Sequence, residues 1–476
     1  MSRYLPVIGI EVHIELSTAS KIFCSCPSTF GAPPNTCVCP VCMGLPGALP
    51  VLNGRAVDMA IAAGLATGCK ISKATRFDRK NYFYPDLPKA YQISQQELPL
   101  CFGGGITVSY GGEERTVRIR RIHLEEDAGK LIHGNGETAI DYNRCGIPLI
   151  EIVSEPDIHS PEEARAYLTK LRELLLYTGI SDCRMSQGSM RCDLNVSLFD
   201  TVSGRSGTRT EIKNVNSFAF AARAIEYEIG RQTALVEAGE EVRSVTLRYD
   251  EGTGRTVVMR PKETSADYRF LPEPDMLSLE ITEERIEAVR SSLPQSADER
   301  RQRYTKKYDI IPTDADIILT SVSLADYFEE AAGGCAYPKL CANLLISELL
   351  ARTEAEDFRP PVTPAALRDI AELFGDGIIN SSTVKRLIDH TARTGESPRR
   401  AVAELGWAQI NDRDRLEALL LEVRSSSPKL FEDYIGGKTA ARKAIIGKAM
   451  GLSGGKANPV ILNGLFDEWA EGINKE

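Results

Sequence analysis

The sequence predicts an α+β protein: a strand-rich, mainly antiparallel N-terminal domain with flanking helices, then two small all-α domains. Three observations carry this. Short alternating segments punctuated by Gly and Pro run to about Asp275. Helical periodicity takes over near Ser278, with "TEERIEAVRSSLPQSADERRQRYTKKY", "TPAALRDIAELFGDGIIN" and "STVKRLIDHTARTGESPRRAVAELG". A break near Ala408 sets off a small, locally basic tail. The boundaries drawn this way are 1–290, 291–407 and 408–476.

Composition bounds the function classes. Of 476 residues, 42% are hydrophobic and 26% charged, as in ordinary globular proteins. No apolar run is long enough to span a membrane. The N-terminus already alternates like a strand and lacks the build of a signal peptide, so the expected compartment is the cytoplasm. A net charge of −9 argues against nonspecific polyanion binding by the whole surface but permits a local basic patch.

In "IGIEVHIEL", Ile8, Ile10, Val12, Ile14 and Leu16 alternate with Glu11, His13 and Glu15, the pattern of a strand with two unlike faces. Next comes "KIFCSCPSTFGAPPNTCVCPVCMG". Cys24, Cys26, Cys39 and Cys42 give C-x-C, twelve residues, then C-x₂-C, a spacing suited to structural zinc. Unligated thiols or a disulfide are the other readings. Cys37 is the fifth cysteine and is taken as the spare. "RFDRKNYFYPDLPKAYQISQ" mixes Lys80, Tyr82 and other basic and aromatic side chains, fit for stacking and phosphate contact or for packing a rigid loop. "CFGGGITV" reads as a Gly-rich hairpin turn.

"RIHLEEDAGK" sets His123 and Glu125 against Ile122 and Leu124, and "MRCDLNVSLF" sets Asp193 and Asn195 against Cys192, Leu194 and Val196. In "GIPLIEIVSEP", Glu151 interrupts a nearly apolar run, so its buried carboxylate requires a cation, a proton or a metal. These polar faces are either solvated faces of antiparallel sheets or the walls of one cavity. In the second case Glu11, His13, Glu125, Glu151 and Asp193 form an oxygen-rich site suited to Mg²⁺. "GTRTEIKNVNSF" ladders Arg209, Glu211 and Lys213 before Asn214, as cross-strand pairing or phosphate contact. There is no GxxxxGK[ST] loop, no strand-linked GxGxxG and no GxSxG element. In the tail, Lys438, Arg442, Lys443 and Lys448 share one stretch with Gly-rich turns, as either solvated lysines or a surface reading RNA by shape and phosphates.

The run "RKNYFYPDLPKAYQISQ", with "IGIEVHIEL", "CPVCMGLPGALPVLN", "MRCDLNVSL", "GTRTEIKNVNSF" and "DYRFLPEPD", closely resembles the GatB/GatE family, the B subunits of glutamine-dependent tRNA amidotransferases. "GGKTAARKAIIGKAMGLSGGKANP" resembles that family's YqeY-like tail. The resemblance implies a cradle-shaped catalytic domain, a helical domain and a tRNA-binding tail. It implies a GatCAB heterotrimer with GatA and GatC, working on tRNA(Gln) or tRNA(Asn) charged by a misacylating synthetase. The activity would be that of a ligase forming a carbon–nitrogen bond with glutamine as amido-nitrogen donor. ATP and Mg²⁺ would activate the side-chain carboxylate of Glu-tRNA(Gln) or Asp-tRNA(Asn), and ammonia channelled from GatA would amidate it. Glu11, His13, Glu125, Glu151 and Asp193 become the Mg²⁺ and catalytic set. Lys80 and Tyr82 are assigned to the ammonia path or acceptor pocket. Arg209, Lys213 and Asn214 are assigned to ATP or the aminoacyl end, and Lys438, Arg442, Lys443 and Lys448 to tRNA. Zinc on Cys24, Cys26, Cys39 and Cys42 is structural. The alternative is a non-catalytic tRNA-binding scaffold in the same complex.

Overall fold

The computed structural model describes residues 3–134, 136–213, 215–261, 266–353 and 358–473. The chain separates into two compact units, Met1–Ala297 and Asp298–Glu476. No helix among the described residues is long and apolar enough to cross a membrane.

The first unit opens with β1 (Tyr4–Glu15), α1 (Gly54–Ala66), the short β2 (Lys70–Ile71) and β3 (Ala74–Thr75), then β4 (Asp78–Asn81) and β5 (Tyr91–Ser94). It continues through β6 (Cys101–Tyr110), β7 (Glu113–Glu126), the hairpin β8 (Lys130–Gly134) and β9 (Glu137–Asp141), β10 (Pro148–Ser154) and α2 (Pro161–Thr178). It ends with β11 (Met190–Asp200), β12 (Arg205–Ser206), β13 (Thr210–Lys213), α3 (Phe218–Glu237), β14 (Val245–Asp250), β15 (Arg255–Pro261), β16 (Leu271–Pro272), β17 (Leu279–Glu280) and α4 (Glu283–Ser292). Among the described residues, one ten-stranded sheet runs β15-β14-β13-β11-β1-β10-β7-β6-β2, with β12 beside β11. Its pairs are antiparallel except β13 with β14.

The α+β architecture is the expected one, but the strands are not short: β1 has 12 residues and β7 has 14. Three helices also interleave where the sequence suggested mostly strands and turns. Each starts at a side-chain cap that satisfies an otherwise orphaned N–H. Asn53 accepts from the Arg55 N–H, Ser160 from Glu163 and Ser217 from Phe220. Pro161 pre-sets the first turn of α2, and Gly179 closes it at φ 71°. The apolar face of β1, from Ile8 to Ile14, joins one buried cluster with Ala60 of α1, Leu168 of α2 and Ala224 of α3. The opposite face of the sheet is left for polar side chains.

The Gly-rich segment is not a hairpin turn. Residues Cys101 to Tyr110 form strand β6, and the turn falls at Gly111 and Gly112, at φ 59° and 83°, the two positive values a tight hairpin demands. Gly104 serves close approach instead: a Cβ there would stand 2.6 Å from the Thr67 carbonyl oxygen and the Cys69 sulfur. Gly104→Ala should therefore lower stability by about 1–3 kcal/mol, read as a fall in thermal midpoint. An unchanged midpoint would show that the end of α1 yields freely.

The second unit is helical: α5 (Ala297–Tyr308), α6 (Pro312–Ile318), α7 (Val322–Ala332), α8 (Pro338–Leu344), α9 (Pro364–Gly375), α10 (Ser381–Thr394), α11 (Pro398–Glu404), α12 (Arg413–Ser426), α13 (Pro428–Ile435), α14 (Ala440–Leu452) and α15 (Pro459–Ile473). Its last four helices enclose their own core of Leu416, Val423, Phe431, Ile445, Leu462 and Phe466.

Candidate active site

Register brings the predicted residues onto one face. In antiparallel strands, directly opposed residues share a face. Glu11 of β1 faces Asp193 of β11, His13 faces Glu151 of β10, and Glu151 in turn faces His123 of β7. On the far side Asn195 faces Glu211 of β13. Residues more than a hundred positions apart thus form one polar surface across five neighbouring strands.

The expected single five-residue metal site is not what the geometry shows. The donors divide into two groups, His13 with Glu125 and Glu151, and Glu11 with Asp193 and Glu211, each gathered within 4.8 Å. The two groups also differ in charge. Lys213 sits in the second group, with Nζ 2.6 Å from Asp193 and 3.8 Å from Glu211. Burial opposes the Lys213 charge, but Asp193 and Glu211 outweigh it and hold the amine well above its ordinary pKa. The Asn195 amide donates to Glu11 at 3.2 Å and the Thr246 hydroxyl to Glu211 at 2.8 Å.

In the first group His13 Nε2 lies 3.4 Å from Glu125 and 3.7 Å from Glu151. His123 Nε2 lies 3.2 Å from Glu151. Burial lowers both imidazole pKa values, against the opposing pull of the Glu151 carboxylate. Burial, reinforced by the neighbouring Glu151 charge, pushes Glu125 up to about 8. Burial would raise Glu151 too, yet His123, His13 and Lys80 pull it well below the usual carboxylate range. Two close carboxylates, one inclined to hold a proton and one ionised, with an imidazole within 4.8 Å, are a donor set a divalent cation fits.

A cleft of about 570 Å³ opens over this surface, lined by His13, Glu125, Asp193 and Lys213 together with Lys80 and Tyr82. Lys80 stands 4.9 Å from the Tyr268 ring and 5.8 Å from Tyr82. Arg209 is exposed and does not line the cleft; Asn214 lies outside the described residues. Arg191 and Asp127, joined at 2.7 Å on the wall, were not among the predicted site residues. Arg191 alternates with Asp193 on the same face, so its signal was present. Glu211 was visible only as part of a charge ladder.

Residues 6–287 match the GatB/GatE catalytic domain and residues 326–469 the GatB domain. The chain belongs to the GatB/GatE family. Its relatives in Brevibacillus brevis and Moorella thermoacetica are each 46% identical over 473 residues, covering 98% of this chain and 99% of theirs. The relative in Thermoanaerobacter pseudethanolicus is 47% identical over 470 residues, with the same coverage. All three carry the name of the B subunit of an aspartyl/glutamyl-tRNA(Asn/Gln) amidotransferase.

Two further groups of predicted residues in this GatB/GatE chain are not among those lining the cleft. The sulfurs of Cys24, Cys26, Cys39 and Cys42 gather within 4.8 Å of one another. Cys37 is not among them; it is buried, and its N–H donates to the Asn143 side chain at 2.8 Å. The Cys39 N–H donates to Cys42 Sγ at 3.1 Å. Cys42 is pulled down to about 4, first by its hydrogen bond with Cys24 and then by the Cys39 N–H and Lys21. In the tail, α14 and the turn before it carry the four basic residues, but two are already paired. Lys438 binds Asp433 and Arg442 binds Asp467, both at 2.8 Å. Lys448 donates to the Ser427 hydroxyl at 2.6 Å, and Lys443 is exposed.

Proposed function

We propose that the cleft activates the side-chain carboxylate of a Glu or Asp residue esterified to tRNA, the chain acting as the B subunit of a glutamine-dependent amidotransferase. The observation that carries this is the convergence of His13, Glu125, Asp193, Lys213, Lys80 and Tyr82 on one cleft, in a chain that matches amidotransferase B subunits along nearly its whole length.

A carboxylate resists attack by ammonia because the oxygen that must leave is strongly basic. Phosphorylation removes that obstacle: a carboxylate oxygen takes the γ-phosphoryl group of ATP, ADP leaves, ammonia attacks the acyl carbon and phosphate departs. Such a transfer needs charge neutralised and reactants positioned rather than a covalent catalyst. His13, Glu125 and Glu151 would hold Mg²⁺, which supplies that neutralisation when bound. Lys213, steadied by Asp193 and Glu211, presents a fixed cation toward phosphate oxygens. Half-buried Tyr82, its pKa raised by desolvation and by Glu125, stays a neutral donor, and Lys80 beside it borders the route by which ammonia enters. Ammonia would come from glutamine cleaved by GatA, with GatC completing the heterotrimer. The tail, through Lys443 and Lys448 above all, would hold the tRNA. Zinc on the four gathered cysteines is structural, because four thiolates leave no open position for a substrate.

The test is the complex reconstituted with GatA and GatC and supplied with ATP, glutamine and either misacylated tRNA. Asp193→Ala releases Lys213 from its anchor. It should keep tRNA affinity while phosphoryl transfer falls by on the order of 100-fold. Transfer at the normal rate would leave only a tRNA-positioning role for this face.

A further inference from the structure

We propose that Lys21 belongs to the cysteine metal centre: its buried ammonium is the counter-charge that lets four thiolates hold a thiophilic divalent cation. This rests on the zinc reading above. Lys21 is 0% exposed, whereas a lysine is almost never fully buried without a partner. Among the described residues no carboxylate lies within 4.0 Å of its nitrogen. Its Nζ donates instead to the Cys37 carbonyl at 2.8 Å and reaches Cys42 Sγ at 3.7 Å. Its backbone N–H donates to the Cys26 carbonyl at 2.9 Å. One residue is therefore tied to both halves of the cluster, through its main chain to the first cysteine pair and through its side chain to the second.

The charge balance gives the reason. Four thiolates around a divalent cation leave an excess of two negative charges, and burying an uncompensated excess is unfavourable. One adjacent ammonium halves it. Losing an outer-sphere donor typically costs roughly 10–100-fold in metal affinity. The arrangement also gives Cys37 a role its sulfur does not have: its carbonyl fixes the direction of the Lys21 amine.

The experiment uses the full chain carrying Lys21→Met, Lys21→Gln or Lys21→Arg. Cobalt–thiolate absorption reports metal binding directly, and chelator competition measures zinc affinity. Met and Gln should weaken binding by roughly 10–100-fold, and Arg should restore most of it. Gln keeps a donor toward the Cys37 carbonyl and loses only the charge, so it decides the matter should the Met variant not fold. A wild-type chain with no cobalt–thiolate band would overturn the zinc reading and this one together. A wild type that binds, beside Met or Gln variants that bind equally well, overturns this one alone.

Discussion

A Glu151→Gln complex is expected to lose phosphoryl transfer by at least on the order of 100-fold, about 3 kcal/mol of transition-state stabilisation, while tRNA affinity stays within about twofold. Glu151 is the sharpest probe because the fold holds it ionised. It sits between His13 and His123, at 3.7 and 3.2 Å, with Lys80 adding to the pull. Gln preserves its shape and removes only the charge. A second consequence follows in metal-free buffer. Glu125 is pushed up to about 8 by burial and then by the Glu151 charge. Below that pH the folded state keeps a proton that the unfolded chain has lost above its ordinary carboxylate pKa of about 4.3. Between those values stability therefore falls as pH rises. Neutralising Glu151 lowers the Glu125 pKa and narrows that window. Unfolding midpoints of both proteins across this range test it. Parallel pH curves, or undiminished phosphoryl transfer, would remove Glu151 from the reaction.

Cys42→Ser should leave the chain without zinc, and Cys37→Ser should retain about one equivalent, measured by elemental analysis of the purified protein. The two side chains are five positions apart and both buried. Only Cys42 belongs to the group gathered within 4.8 Å. Cys42 also receives the Cys39 N–H at 3.1 Å, a bond a thiolate accepts more strongly than a thiol. Zinc held at a thousand times its dissociation constant would contribute about 4 kcal/mol to the folded state. Cys42→Ser should therefore lower the thermal midpoint far more than Cys37→Ser. Equal zinc loss in both would mean the sulfur set has been drawn wrongly.

Much of the site was legible because strands alternate. Glu11, His13, Glu125 and Asp193 stand out as polar members of otherwise apolar strands, and Glu151 as a charge in an apolar run. What alternation cannot express is register. That Glu11 meets Asp193 while His13 meets Glu151 depends on pairings between distant segments, so one expected site became two groups. Lys213 looked like a phosphate ligand and proves also to be the partner of Asp193. Lys21 gave no signal at all: a lysine before an apolar pair reads as surface until its burial is seen. The helices were under-read for a different reason. Their Ala-rich and mixed faces resemble neighbouring strand segments, and the caps that start them involve single residues.

The position of β1 has a consequence for how the molecule is made. Strand β1 ends up in the middle of the sheet although both its partners come much later in the chain, Tyr4 opposite Asp200 on one side and Glu15 opposite Leu149 on the other. During synthesis its first partner, β10, follows only at Pro148 and its second, β11, only at Met190, so its apolar side must wait in the company of chaperones or transient contacts. The cysteine cluster closes a loop of fewer than twenty residues and is complete long before. Metal capture next to β1 would then be an early, local event, giving the emerging chain a fixed point while the sheet it flanks is still to be assembled.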